Sequence, residues 1–173
     1  IGKPSCYKED KEGWGHYKGH ALASVKIFED ICNNKYFVFS TLEKKTISEL
    51  ILFHDYNLVN TNKCLRKFLS KIDIKNLDWI IKLKEADCLS HKENDEEAEK
   101  KFEELQKIEA AAKSIIITPR ANCFSLKDLD INGKQVIEIM KLDGSDKVVG
   151  NILKRCLKLV IDGAIKNDYN VFK

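Results

Sequence analysis

The sequence predicts an all-α fold, and three observations support that prediction. Apolar residues recur at helical spacing along most of the chain from His20 onward. Only two Pro and eight Gly occur among 173 residues, so few positions interrupt long helices. The stretch 95–117 combines strong helix formers with Glu and Lys residues four positions apart. We therefore expect no sheet larger than two short strands.

The composition is that of a globular protein with a core of its own. Hydrophobic residues make up 43% and charged residues 33% of the chain, and no apolar run approaches the roughly 18 residues that span a bilayer. The six cysteines are widely spaced and form no Cys-x-x-Cys pair. This pattern predicts reduced thiols in a cytoplasmic protein, with no zinc knuckle and no membrane partner.

Four helices are predicted in the first half of the chain, after a loop. The loop, from Cys6 to His20, contains three Gly and has room for a hairpin. Ser40 starts the second helix, because Glu43 follows it at the spacing of a capping box. The predicted helices span His20 to about Asn33, Ser40 to His54, Thr61 through Leu69, and Asp73 or Lys75 to about Ser90. The fourth helix carries Leu77, Ile80, Ile81, Leu83 and Asp87.

The second half of the chain predicts one long helix and a small helical tail. The long helix covers 95–117 and stops because Pro119 cannot continue it. In the tail, Asn132 opens a short helix, and Asp146 caps a last helix that ends at Gly163. The inward residues of that last helix are Val149, Ile152, Leu153, Cys156, Leu157 and Val160.

The charged residues do not by themselves identify a binding partner. The formal net charge is +3, which is too small to identify a nucleic-acid partner. The basic residues are almost all Lys, so the three Arg stand out, because Arg offers a planar fork that fits phosphate. An alternative is that each Arg pairs with a nearby acid and holds helices together. The candidate phosphate-binding residues are Arg66, Lys67, Arg120, Lys154 and Arg155.

A few imidazoles and carboxylates are candidates for chemistry. His20 lies at a helix start, and His54 and Asp55 close a helix after an apolar run. Asp87 lies within an apolar helix, where an unpaired carboxylate is costly. Groups of these types that converge from several helices form divalent-metal centres in α bundles. Alternatively, each His caps backbone carbonyls, and Asp87 pairs with Lys84.

The order of several motifs resembles one known family. The chain opens on Ile1-Gly2-Lys3-Pro4 and continues with the motifs Gly15-His16-Tyr17-Lys18-Gly19-His20, His54-Asp55-Tyr56, Glu85-Ala86-Asp87, Ser125-Leu126-Lys127-Asp128-Leu129, Asn132-Gly133 and Gly150-Asn151-Ile152-Leu153. This series resembles the HD-containing body and C-terminal tail of bacterial tRNA nucleotidyltransferases, the CCA-adding enzymes, and poly(A) polymerases. The resemblance spans nearly the whole chain.

The resemblance implies a fold and a metal site. Residues 1–118 would form an HD-domain-like helical bundle, and residues 119–173 a small tRNA-binding-like helical tail. In HD proteins a His-Asp pair precedes Ile-Gly-Lys and binds a divalent ion such as Mg, Mn or Zn. Asp87 matches the late Asp of that site, and His20 and His54 match extra His positions used by two-metal members. The His-Asp pair would precede Ile1, so we expect a fragment without a tightly bound metal.

Two functions of different classes follow from the resemblance. No stretch matches the family's nucleotidyltransferase head, so the fragment alone is not expected to add CCA or poly(A). The first function is RNA binding, in which the chain binds tRNA or another RNA through its basic residues. The second is an HD-type metal-dependent phosphohydrolase, acting on cyclic phosphates or nucleotides, with part of its site removed.

Overall fold

The computed structural model describes residues 1–34, 37–90, 95–119, 121–142 and 146–173. Within them the chain forms nine α-helices, two 3-10 turns and one two-stranded sheet, which confirms the all-α prediction. No helix among these residues is long and apolar enough to cross a membrane. The elements are α1 (Lys3–Cys6), β1 (Lys8–Glu9), β2 (Gly15–His16), α2 (His20–Cys32), α3 (Thr41–Phe53), α4 (Asn62–Leu69), α5 (Leu77–Ser90), α6 (Asp95–Ile117), α7 (Gly133–Met140), α8 (Asp146–Ile161) and α9 (Tyr169–Phe172), with 3-10 turns at Ile74–Asn76 and Leu126–Asp128.

Side-chain caps fix the helix starts that the sequence predicts. The Glu43 amide donates to Ser40 Oγ at 3.2 Å, and the Ser40 amide donates to Glu43 Oε2 at 2.7 Å, which completes a capping box at α3. Thr61 Oγ1 accepts from an amide in the first turn of α4, and Asn132 caps α7. The predicted starts of these three helices are confirmed. Helix α8 begins at Asp146, whose side chain lies outside the described part of the chain.

The chain divides into two compact units. Unit 1 comprises Ile1–Asn57 and Asp73–Leu105, and unit 2 comprises Leu58–Ile72 and Gln106–Lys173. These units differ from the division at 118/119 drawn from the sequence, which stays a prediction. The difference arises because α4, far from the tail in sequence, packs against α8.

In unit 1, α2 packs against α1 and α3, and α3 packs against α5. Phe28 of α2, Phe53 of α3 and the buried residues of α5 form the apolar interior, and those α5 residues are Leu77, Ile80 and Ile81. Leu83 of the same helix is 39% exposed. At 100° per residue Leu83 lies about 120° around α5 from the centre of the buried face, which accounts for its exposure.

The N-terminal loop of unit 1 contains the hairpin for which the sequence has room. Strands β1 and β2 pair antiparallel, with Lys8 opposite His16. Asp10 closes the turn, because its Oδ1 accepts the amides of Glu12 and Trp14 at 2.9 Å each. The hairpin brings His16 back towards the start of α2.

The core of unit 2 forms around α7 and α8. All six residues of α8 predicted to face inward belong to this core or pack against it, which confirms the prediction. Helix α8 ends before Gly163, whose φ of 74° lies in the left-handed region that Gly adopts readily. The fully or largely buried members of the core are Cys123, Leu129, Ile131, Val136, Val149 and Val160.

Candidate functional site

Two of the predicted site residues, His20 and His54, meet in unit 1. His20 is the first residue of α2 and is buried, and His54 follows the last residue of α3. The paired helices bring these two ends together. The His20 and His54 Nε2 atoms are 3.0 Å apart, and the rings cross at 77°.

Backbone carbonyls fix the tautomer of each ring. His20 Nδ1 lies 2.9 Å from the Tyr17 carbonyl oxygen, and His54 Nδ1 lies 2.6 Å from that of Ile51. A carbonyl oxygen only accepts, so both Nδ1 atoms must carry their protons and donate. The two Nε2 atoms of neutral rings would then face each other as lone pairs. A hydrogen bond between the two rings therefore needs a proton on one of the Nε2 atoms.

The geometry of the pair resembles one edge of a metal site only in part. Two Zn–N bonds of about 2.0–2.1 Å at the tetrahedral angle place their nitrogens about 3.3–3.4 Å apart, whereas the observed separation is 3.0 Å, which is a hydrogen-bond distance. Ligating histidines also commonly donate their second ring N–H to a carbonyl, as both rings do here. His20 and His54 are therefore candidate ligands whose nitrogens lie closer together than a tetrahedral ion would place them.

Beside His20 lies an open cleft of about 410 Å³. Asp55 and Asp87 reach this cleft, and Asp55 Oδ2 lies 3.8 Å from His20 Nδ1. The residues lining the cleft are Lys3, Gly15, His16, Tyr17, Lys18, His20, Asp55 and Asp87. The structure thus brings Asp87 to the same cleft as His20, while His54 touches His20 from beside it. Asp87 is half-buried rather than enclosed in apolar surroundings.

Among the described residues, no third side chain completes a metal site with His20 and His54. Within that part of the chain no three His, Cys, Asp or Glu side chains are close enough together to hold one metal ion. His20 and His54 offer at most two nitrogen ligands, and Asp55 and Asp87 line the cleft without completing a coordination shell. His91 lies outside the described residues.

The N-terminal residues reach the cleft because Gly2 has no side chain. The Gly2 amide donates to Ser24 Oγ at 2.8 Å. A Cβ on Gly2 would lie 2.6 Å from both the His20 carbonyl oxygen and the Ser24 amide nitrogen. This close approach places Lys3 at the cleft, where its Nζ lies 5.9 Å from the centre of the Tyr17 ring.

Sequence reasoning did not place His16 at the cleft, and it named Lys84 only as an alternative partner for Asp87. His16 Nε2 lies 2.7 Å from Asp10 Oδ2, and this hydrogen bond lowers the pKa of the Asp10 carboxyl. Lys84 is half-buried and donates from Nζ to the His54 carbonyl oxygen at 2.8 Å. A signal for Lys84 was present in the sequence, since it follows Ile80 by four residues and Ile81 by three. Those spacings place it on the inward face of α5.

The predicted phosphate-binding residues of α4 are partly engaged within unit 2. Lys67 forms an ion pair with Asp162, at 2.9 Å from Nζ to Oδ1. Arg66 is half-buried, and burial lowers the pKa of its guanidinium. No described residue provides a hydrogen-bond partner for Arg66 Nε. Burial also raises the pKa of the neighbouring Cys123 thiol to about 11, so that Cys123 is a neutral core residue.

Helix α8 presents an exposed basic stripe. At 100° per residue, its members share an arc of about 100° on the face opposite the core. No Asp or Glu occurs between Lys147 and Ile161. The stripe consists of Lys147, Asn151, Lys154, Arg155 and Lys158, all exposed, and so includes the predicted residues Lys154 and Arg155. Arg120 lies outside the described residues.

Charge is distributed unevenly between the two units. Unit 2 contains 16 Lys and Arg against 8 Asp and Glu, a net charge of +8, whereas unit 1 contains 14 against 19, a net charge of −5. The small net charge of the whole chain therefore conceals a strongly basic unit. Basic clusters of this kind attract polyanions.

Comparisons with known proteins identify no relative. No protein-family model matches the chain, and neither the curated proteins nor the solved structures include a protein similar to it.

Proposed function

We propose that the chain binds RNA backbone through unit 2, as the helical body and tail of a tRNA nucleotidyltransferase-like protein. The observation that carries this proposal is the net charge of +8 in unit 2 against −5 in unit 1. Neutralising phosphates with Lys and Arg supplies most of the sequence-independent free energy of binding to nucleic acids. Nucleotidyl transfer itself is not assigned to this chain.

The exposed basic stripe on α8 is the surface that would contact the RNA phosphates. Four cations and one amide on a single helical face can contact successive phosphates without reading base edges. Arg155 is the stripe's planar donor, suited to two hydrogen bonds with one phosphate. Binding should therefore depend strongly on salt and little on sequence.

A filter-binding titration of the 173-residue chain against tRNA at several salt concentrations tests the proposal. Replacing Arg155 by Ala should weaken binding and lower the slope of log K against log salt by about one unit. The matched control is Lys82→Ala, which removes an exposed cation from α5 of unit 1 and should change neither quantity. Equal affinities and slopes for all three proteins would remove Arg155 from the contact surface.

A second function, metal-dependent phosphohydrolysis in unit 1, is favoured by the His20–His54 pair. When bound, a divalent ion polarises a phosphoryl oxygen and activates water. His20 and His54 would supply two nitrogen ligands, and Lys3 and Lys18 bring positive charge to the cleft for a phosphate group. The test is hydrolysis of 2′,3′-cyclic nucleotides with Mn²⁺, together with Mn²⁺ binding by calorimetry. His54→Ala should abolish both, and hydrolysis that persists in this variant would exclude the site.

A further inference from the structure

The basic stripe of α8 ends at an acid, Asp162. The Asp162 amide donates to the Lys158 carbonyl oxygen at 2.9 Å, which continues the helical turn past Ile161, the last residue of α8. At 100° per residue the Asp162 side chain falls within the arc of the stripe, and Lys158 lies four residues before it on the same face. Asp162 therefore adds a negative charge to a face that otherwise carries only cations and one amide.

The Asp162 carboxylate is held by a lysine of α4. Its Oδ1 lies 2.9 Å from Lys67 Nζ. Lys63 precedes Lys67 by four residues, so the two lysines share a face of α4, and both are exposed. Lys67, with smaller contributions from Lys63 and Lys158, lowers the pKa of the Asp162 carboxyl. Cations from α4 and α8 thus converge on one acid.

Asp162 occupies a position that suits a phosphate group. Carboxylate and phosphate oxygens both accept charge-assisted hydrogen bonds from a lysine ammonium. Residues 58–72 and 147–161 contain no Asp or Glu, so neither α4 nor α8 supplies another acid to this surface. The Lys67 side chain remains 46% exposed and that of Asp162 20% exposed, so a polyanion can reach the pair from solvent.

We propose that the RNA-binding surface extends from α8 onto Lys63 and Lys67 of α4, and that Asp162 competes within the chain against RNA phosphate for Lys67. In the free chain the Asp162 carboxylate neutralises Lys67. An arriving phosphate must displace this carboxylate or bind against its charge, so Asp162 lowers the affinity of the surface for RNA. The inference rests on the RNA-binding function proposed above and names the residues that regulate it.

Filter-binding titrations of the 173-residue chain against tRNA at several salt concentrations test the proposal. Asp162→Asn removes the charge, retains the size of the side chain and releases Lys67. The Kd of this variant at low salt should be about three- to fivefold lower than that of wild type, and its slope of log K against log salt steeper by about one unit. Glu138→Gln removes an exposed acid from α7 of the same unit. This control of equal charge should change neither quantity.

The Lys67→Ala background shows whether the gain depends on the lysine that Asp162 holds. In this background Asp162→Asn should tighten binding by less than about twofold and leave the salt slope unchanged. An equal gain with and without Lys67, or an equal gain in Glu138→Gln, would show that only net charge matters and would overturn the proposal. So would an unchanged Kd in an Asp162→Asn protein whose helical circular dichroism equals that of wild type.

Two further variants separate the possible failures. Asp162→Glu retains the carboxylate and should bind tRNA as wild type does, whereas Asp162→Ser is a second charge-free variant and should bind more tightly. If both charge-free variants fail to fold while Asp162→Glu folds, the carboxylate serves the fold and the proposal is wrong. If wild type binds tRNA with the expected salt dependence but Asp162→Asn binds no more tightly, only the role of Asp162 fails. If neither protein binds tRNA, the RNA-binding function fails with it.

Discussion

At Gly2 the lack of a side chain is a packing requirement rather than a need for backbone freedom. Its φ of −79° is ordinary for any residue, yet a Cβ would lie 2.6 Å from two backbone atoms of α2. Those atoms belong to His20 and Ser24, within the first turns of the helix that carries the histidine pair. A change at Gly2 should therefore disturb both stability and the site.

Gly2→Ala should lower the free energy of unfolding by about 1–3 kcal/mol, as overpacking of a well-packed site does. The matched control is Gly150→Ala. Gly150 lies within α8 and has open space where a Cβ would stand, so this change should raise the free energy of unfolding by about 0.5–1 kcal/mol. Urea titrations of the three proteins provide the measurement. Equal stability of Gly2→Ala and wild type would contradict the packing described for Gly2.

Individual site residues were only partly predictable from the sequence. His20 and His54 were identified because each falls at a predicted helix end, and the structure brings them into contact. Their tautomers depend on two carbonyl oxygens whose positions no spacing rule supplies. His16 was missed because its place at the cleft depends on the register of a two-residue hairpin. Such a register is set by the turn around Asp10 and not by any periodicity.

At the scale of elements, an ion pair connects α4 to Asp162, the residue that follows α8 in unit 2. The Lys67 ammonium, at 2.9 Å, is the main cause that lowers the pKa of the Asp162 carboxyl below its ordinary value of 3.8, with Lys63 and Lys158 contributing. A carboxyl whose pKa is lowered by folding stabilises the folded chain when it is ionised. Its contribution to the free energy of unfolding is fully present when the pH is above the ordinary pKa of the carboxyl. That contribution is lost as the pH falls through the lowered pKa of the folded chain.

Asp162→Asn should therefore reduce the stability of the chain near neutral pH, and the difference from wild type should shrink below about pH 4. Urea titrations at neutral pH and near pH 3 measure that difference directly. Glu138→Gln, an exposed carboxylate on α7 of the same unit, is the control, and its stability should follow that of wild type at both pH values. A difference for Asp162→Asn that is as large near pH 3 as at neutral pH would show that ionisation of Asp162 plays no part.

Element bounds were the most predictable feature, because caps act locally. Ser40, Thr61 and Asn132 each satisfy an amide within three residues, so the sequence around them determines where a helix begins. The inward face of α8 followed from its apolar spacing alone. Leu83 shows the limit of such spacing, because one apolar residue in a helix does not define a face and α5 turns this residue about 120° away from the core.

At the scale of the whole molecule, the uneven charge was concealed by the linear order of the sequence. Residues 58–72 carry four basic and no acidic residues, and they join the C-terminal residues in unit 2. No pattern in the sequence marks that association, because it depends on packing between α4 and α8. A boundary drawn along the chain at 118/119 therefore separates the basic residues of α4 from those of α8.

The central claim is that RNA contacts unit 2, and photocrosslinking tests it most directly. The full chain would be irradiated with 4-thiouridine-substituted tRNA at low salt, and the crosslinked peptides would be mapped by mass spectrometry. We predict crosslinks in peptides of α8, around Lys154 and Arg155, and in those of α4, which should disappear together as salt is raised. Crosslinks confined to residues 1–57 and 73–105, or crosslinks to α8 that are insensitive to salt, would contradict the account.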